Sequence, residues 1–80
     1  MPYFLGRTEA ALNQFAKAVK EYNIALNLEP KNPIIHIWLG YSYLELNRRH
    51  EANRCAQQAV SISPEIVTNA DFLGLVEKLE

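Results

Sequence analysis

Residues 33–64 read PIIHIWLGYSYLELNRRHEANRCAQQAVSISP, and this stretch decides the fold. Two runs with apolar residues at helical spacing flank Asn47-Arg48, which reads as a tight turn, because Asn tolerates the left-handed conformation that ends helices. Its key residues recur at one interval. Leu39-Gly40 has an earlier copy at Leu5-Gly6 and a later one at Leu73-Gly74, at equal steps. Ala52 repeats Ala18, Ala59 repeats Ala25 and Pro64 repeats Pro30 at the same step. A constant period of roughly 34 residues, with one helical hairpin per period, implies stacked repeats rather than a single mixed core.

Working outward, the pattern predicts five helices. The first covers residues 3–12, a turn falls at Asn13-Gln14, and the second helix covers residues 15–28. Ala18, Tyr22, Ala25 and Leu28 share one of its faces, with Phe15, Val19 and Leu26 beside them. Glu29-Pro30-Lys31-Asn32-Pro33 breaks the chain, with Asn32 as N-cap and Pro33 at the first helical position, where a missing N–H costs nothing. Helices over residues 33–46 and 49–62 follow. Ser63-Pro64 closes the fourth helix, and the last begins between residues 65 and 68, with Thr68 and Asp71 placed for a capping box. Short connections make successive helices antiparallel neighbours. The small residues at the repeated positions let helices approach closely, Leu5, Leu39 and Leu73 fill the space beside them, and the prolines stop each second helix. None of this involves chemistry.

Composition limits function. The chain has 80 residues, enough for one domain, with 49% hydrophobic and 21% charged residues and a formal net charge of -1. A general nucleic-acid binder needs a cationic surface to displace counterions, so that class is disfavoured. Cys55 is the sole cysteine, which rules out an intrachain disulfide and a thiolate metal cage and fits a reduced, intracellular (cytoplasmic) setting. No signal peptide is visible and no apolar run is long enough to span a bilayer, so membrane insertion is not expected. His36 and His50 fall on different helices without ligand spacing, and Cys55 reads as a small packing residue. Arg48, Arg49, His50 and Arg54 read as solvated charges around a turn. No triad, phosphate loop or paired-acid site appears, so neither an enzyme nor a cofactor is expected.

The residues quoted above resemble the tetratricopeptide repeat family, whose helix–turn–helix of about 34 residues carries Trp-x-x-Leu-Gly-x-x-Tyr, then Ala, an aromatic, Ala and Pro. The middle repeat supplies Leu39, Gly40, Tyr43, Ala52, Ala59 and Pro64. The first supplies Leu5, Gly6, Ala18, Tyr22, Ala25 and Pro30, and the last helix supplies Leu73-Gly74. The family's Trp falls on Pro2, His36 and Ala70, its Tyr on Glu9 and Glu77 in the outer repeats, and its second-helix aromatic on Ala56. The resemblance implies an all-α, right-handed superhelix of antiparallel helix pairs: repeat 1 at about 1–32, repeat 2 at about 33–66 and a capping helix at about 67–80.

It also implies a concave groove, lined by first helices, that binds a peptide or helix of a partner protein. The groove residues expected here are Tyr3, Arg7, Ile34, Ile37, Trp38, Tyr41 and Glu45. The carboxylate clamp with which some members grip chaperone tails would fall on Tyr3, Arg7, Trp38, Thr68 and Phe72. Only Arg7 is cationic, so an apolar or amphipathic ligand is expected instead. For Trp38 and Tyr41, packing against flanking helices and groove lining stand as equal readings. Homodimerisation through the terminal helices is the rival function.

Overall fold

A computed structural model describes residues 2–80, with the side chains of residues 14–80. Four α-helices are formed: α1 (Pro2–Leu28), α2 (Pro33–Glu45), α3 (Arg49–Ile62) and α4 (Ala70–Leu79), with a 3₁₀ segment, Pro64–Thr68, between the last two. No strand occurs among the described residues. The fold is the all-α repeat architecture expected from the constant period.

The best-specified unit is the α2–α3 hairpin. Asn32 caps α2 by accepting the Ile34 N–H at 3.0 Å, with Pro33 following in the first turn. At the other end Asn47 takes φ 63°, a left-handed conformation that most L-residues avoid. There the Asn47 N–H donates to the Leu44 carbonyl at 3.0 Å and the Arg48 N–H to the Tyr43 carbonyl at 2.8 Å. This paired arrangement satisfies carbonyls that the helix end would leave open. The turn expected at Asn47-Arg48 is therefore present, held by the conformational tolerance of one asparagine.

Its counterpart at Asn13-Gln14 is not formed. Residues 2–28 run as one continuous helix of 27 residues. The physical reason is local. Between Arg7 and Leu28 there is no Gly or Pro, and a single interior Asn costs only about 0.5–0.7 kcal/mol relative to Ala. So small a cost does not break the helix, and folding back at residue 13 would have to be driven by packing.

The C-terminal boundary also differs from expectation. α4 starts at Ala70, and its N-cap is Asn69, which accepts the N–H groups of Asp71 at 2.8 Å and Phe72 at 3.2 Å. Thr68 forms no capping box. Its hydroxyl donates to the Glu65 carbonyl at 3.0 Å and tightens the 3₁₀ turn.

The core lies where α2, α3 and α4 meet. Ile37, Ala56, Ala59, Ile66, Phe72 and Leu75 are buried together, and Tyr41, Leu44, Val60, Val76 and Leu79 pack against them. Gly40 sits at the helix crossing: a Cβ there would stand 2.8 Å from Leu75 Cδ2 and 3.4 Å from Cys55 Cβ. Leu75 is the leucine of α4 that enters this crossing, whereas Leu73, which the period expects to fill space beside a small residue, is 51% exposed. The side of α4 that bears Leu73 is left open, whereas Phe72 and Leu75 face the core.

Candidate partner-binding site

α2 carries Ile34, Trp38, Tyr41 and Glu45 at successive steps of four, three and four residues, which puts them along one side of the helix. Ile34 is 36% and Trp38 42% exposed, high for large apolar side chains. The Trp38 and Tyr41 rings lie 5.9 Å apart between centroids, tilted by 39°, a favourable offset for aromatic pairs.

Tyr41 belongs to both readings offered by the sequence. Its hydroxyl donates to the Asp71 carbonyl in the first turn of α4 at 2.8 Å. The Lys78 ammonium stands 5.6 Å from its ring centroid, within cation–π range. A Cβ at Gly74 would come within 2.5 Å of the Tyr41 oxygen, so the absence of a side chain at Gly74 makes room for the phenol. Burial first, then the carboxylates of Asp71 and Glu77, push the Tyr41 phenol pKa above its ordinary value. Tyr41 thus ties α2 to α4 and stands beside Trp38.

Ile37 is corrected. It is fully buried, in the core with Phe72 and Leu75, and lines no surface. α4 packs on α2 as well as α3, so the flank of α2 that bears Ile37 is covered. Glu45 is exposed and borders a shallow depression with Arg49 and Lys78, which gives the end of the stripe a charged character. The side chains of Tyr3 and Arg7 lie outside the described residues. Phe72 is buried in the core. Of the clamp positions within the described side chains, Trp38, Thr68 and Phe72 carry no charge.

A second concavity of about 220 Å³ lies between α1, α2 and α3, bordered by Leu26, His36, Leu39, Tyr43, Arg54 and Cys55. It lies beside His36, the position of the family's Trp. Burial lowers the His36 pKa, with the Pro30 carbonyl opposing the shift. Burial also pushes the Cys55 thiol up to about 11, which removes its nucleophilic form near neutral pH. No cluster of three His, Cys, Asp or Glu suited to a metal occurs among the described residues.

Sequence reasoning missed the Tyr41–Asp71–Lys78 contact. The one available signal was Gly74, whose lack of a side chain lets Tyr41 in.

The model of a family described as TPR repeat matches residues 6–47, and that of a family described as tetratricopeptide repeat matches residues 35–66. This chain belongs to the tetratricopeptide repeat family. No curated protein and no solved structure matches it. TPR repeats are generally protein–protein interaction modules, and TPR proteins generally bind protein partners. No helix among the described residues is long and apolar enough to cross a membrane.

Proposed function

We propose that this TPR chain binds an apolar or amphipathic segment of a partner protein along the side of α2 that carries Ile34, Trp38 and Tyr41. The observation that carries this reading is the exposure of Trp38 beside a tyrosine fixed from behind by α4. A tryptophan has only two side-chain torsions to fix on binding, and such side chains dominate interface energies. Glu45 and Lys78 at the far end offer one charge of each sign to a ligand's polar residues. The uncharged clamp positions support an apolar ligand over an acidic chaperone tail.

The test is a capture of partners from a lysate with wild-type chain and with Trp38→Ala, followed by titration of the captured partner in purified form. Trp38→Ala is expected to weaken binding by at least tenfold, about 1.4 kcal/mol, while far-ultraviolet dichroism stays unchanged. Loss of helicity in Trp38→Ala, or equal binding by the two proteins, overturns the reading.

Self-association through the terminal helices is the second reading. Large apolar side chains left open on both, Leu28 on α1 and Leu73 on α4, favour it.

A further inference from the structure

α1 and α3 are equivalent elements of consecutive repeats, yet they are covered differently. α3 packs on α2, on the 3₁₀ segment and on α4, whereas α1 packs principally on α2. The consequence is visible residue by residue. Ala52, Ala56 and Ala59 are buried, but their counterparts one period earlier, Ala18, Tyr22 and Ala25, are only half-buried. Ile62 is half-buried, but its counterpart Leu28 is 80% exposed. What α1 lacks is the helix that α2 provides for α3: the first helix of its own hairpin.

The sequence contains that helix. The segment of α2 that covers α3 carries Leu39-Gly40, and its one copy on the N-terminal side is Leu5-Gly6, at the same offset from Ala18 and Ala25 as Leu39-Gly40 has from Ala52 and Ala59. With α1 continuous from Pro2 to Leu28, residues 3–12 point away from residues 15–28 of the same chain and cannot cover them. They can cover those of a second copy.

We propose that two chains exchange this segment: residues 3–12 of each copy dock on the half-covered side of residues 15–28 of the other. The two α1 helices then lie antiparallel, with residues 13–14 of both near a two-fold axis. A helix of 27 residues is about 40 Å long, so each half reaches the opposite half of its partner. The interface is self-complementary, as closed dimers require, and repeats the contact that α2 makes with α3 inside one chain. The hinge is the turn that the sequence expects and the structure lacks. The proposal rests on the self-association reading and specifies which surface serves it.

The test is the mass of the full chain by sedimentation equilibrium, from micromolar to millimolar, with dichroism as a control for folding. Wild type is expected at twice the 9.1 kDa chain mass. Asn13→Gly combined with Gln14→Pro breaks the continuous helix and lets each hairpin close on itself, halving the mass with helicity retained. Tyr22→Asp, on the half-covered side of α1 and opposite residue 5 of the second copy, is expected to halve it as well, with helicity retained. A wild type that is monomeric throughout overturns both this proposal and self-association. A dimer that survives the hinge variant and Tyr22→Asp but is lost in Leu73→Asp overturns the exchange and leaves self-association standing, through α4. A dimer that survives the hinge variant but not Tyr22→Asp overturns the exchange too, because it then needs no continuous α1.

Discussion

Tyr41 and Gly74 form a pair whose energies do not add. Replacing Tyr41 with Phe removes the hydroxyl that donates to Asp71, and a lost hydrogen bond of this kind costs about 0.5–1.5 kcal/mol. Gly74→Ala would ordinarily gain about 0.5–1 kcal/mol in a helix interior. Here the added methyl meets the Tyr41 oxygen, so the ring must swing and give up its bond. Gly74→Ala is therefore expected to lower the melting temperature in wild type and to raise it in the Tyr41→Phe background. A double-mutant cycle by thermal denaturation measures the difference, and additive effects would refute the contact. Cys55 gives a second prediction at this scale. With its thiol pushed up to about 11, the folded protein is expected to resist alkylation at pH 8 and to react at the rate at which it opens. Because the folded value lies above the ordinary 9.0, the stability this thiol contributes is complete below pH 9 and is lost as pH rises towards 11. A denaturation midpoint that does not fall over that interval more than in Cys55→Ala would remove the effect.

Among the elements, the α2–α3 connection depends on Asn47. At φ 63°, Asn47→Gly is expected to stabilise by a few tenths of a kcal/mol and Asn47→Ala to destabilise by about 1 kcal/mol. Urea midpoints check both signs. The α2–α3–α4 crossing depends on Gly40. Leu75 Cδ2 stands 2.8 Å from where a methyl would go, with Cys55 Cβ at 3.4 Å behind it, so Gly40→Ala is expected to cost about 1–3 kcal/mol. In a chain of this size that lowers the melting temperature by roughly 4–8 °C per kcal/mol. The two asparagines show why similar sequences end differently. Asn13 and Asn47 lie one period apart, each following a leucine, yet only Asn47 turns the chain. A lone asparagine permits a turn without requiring one. The decision passes to what each half-helix would cover, and α2 has both α3 and α4 to pack on.

For the molecule as a whole, the repeat period, the small residues at crossings and the two prolines were enough to establish an all-α repeat chain and its family. These features are local or periodic, and the physics that reads them, helix propensity and capping, acts within a few residues. The sequence also placed Ile34, Trp38, Tyr41 and Glu45 on one side of α2, because helical spacing alone determines that. What it could not rank was exposure along the helix. Ile37 lies next to Trp38 in the chain and belongs to the core, while Trp38 is half-exposed. The separation comes from where α4 settles, which depends on Leu75 entering the space above Gly40 and on Tyr41 reaching Asp71. The sequence also marked out a first hairpin, yet residues 2–28 stay straight, because a stretch without Gly or Pro keeps its helix through one asparagine. Around α4, by contrast, contacts between elements distant in the chain decide which side chains are buried, and no pattern of neighbours along the sequence records them.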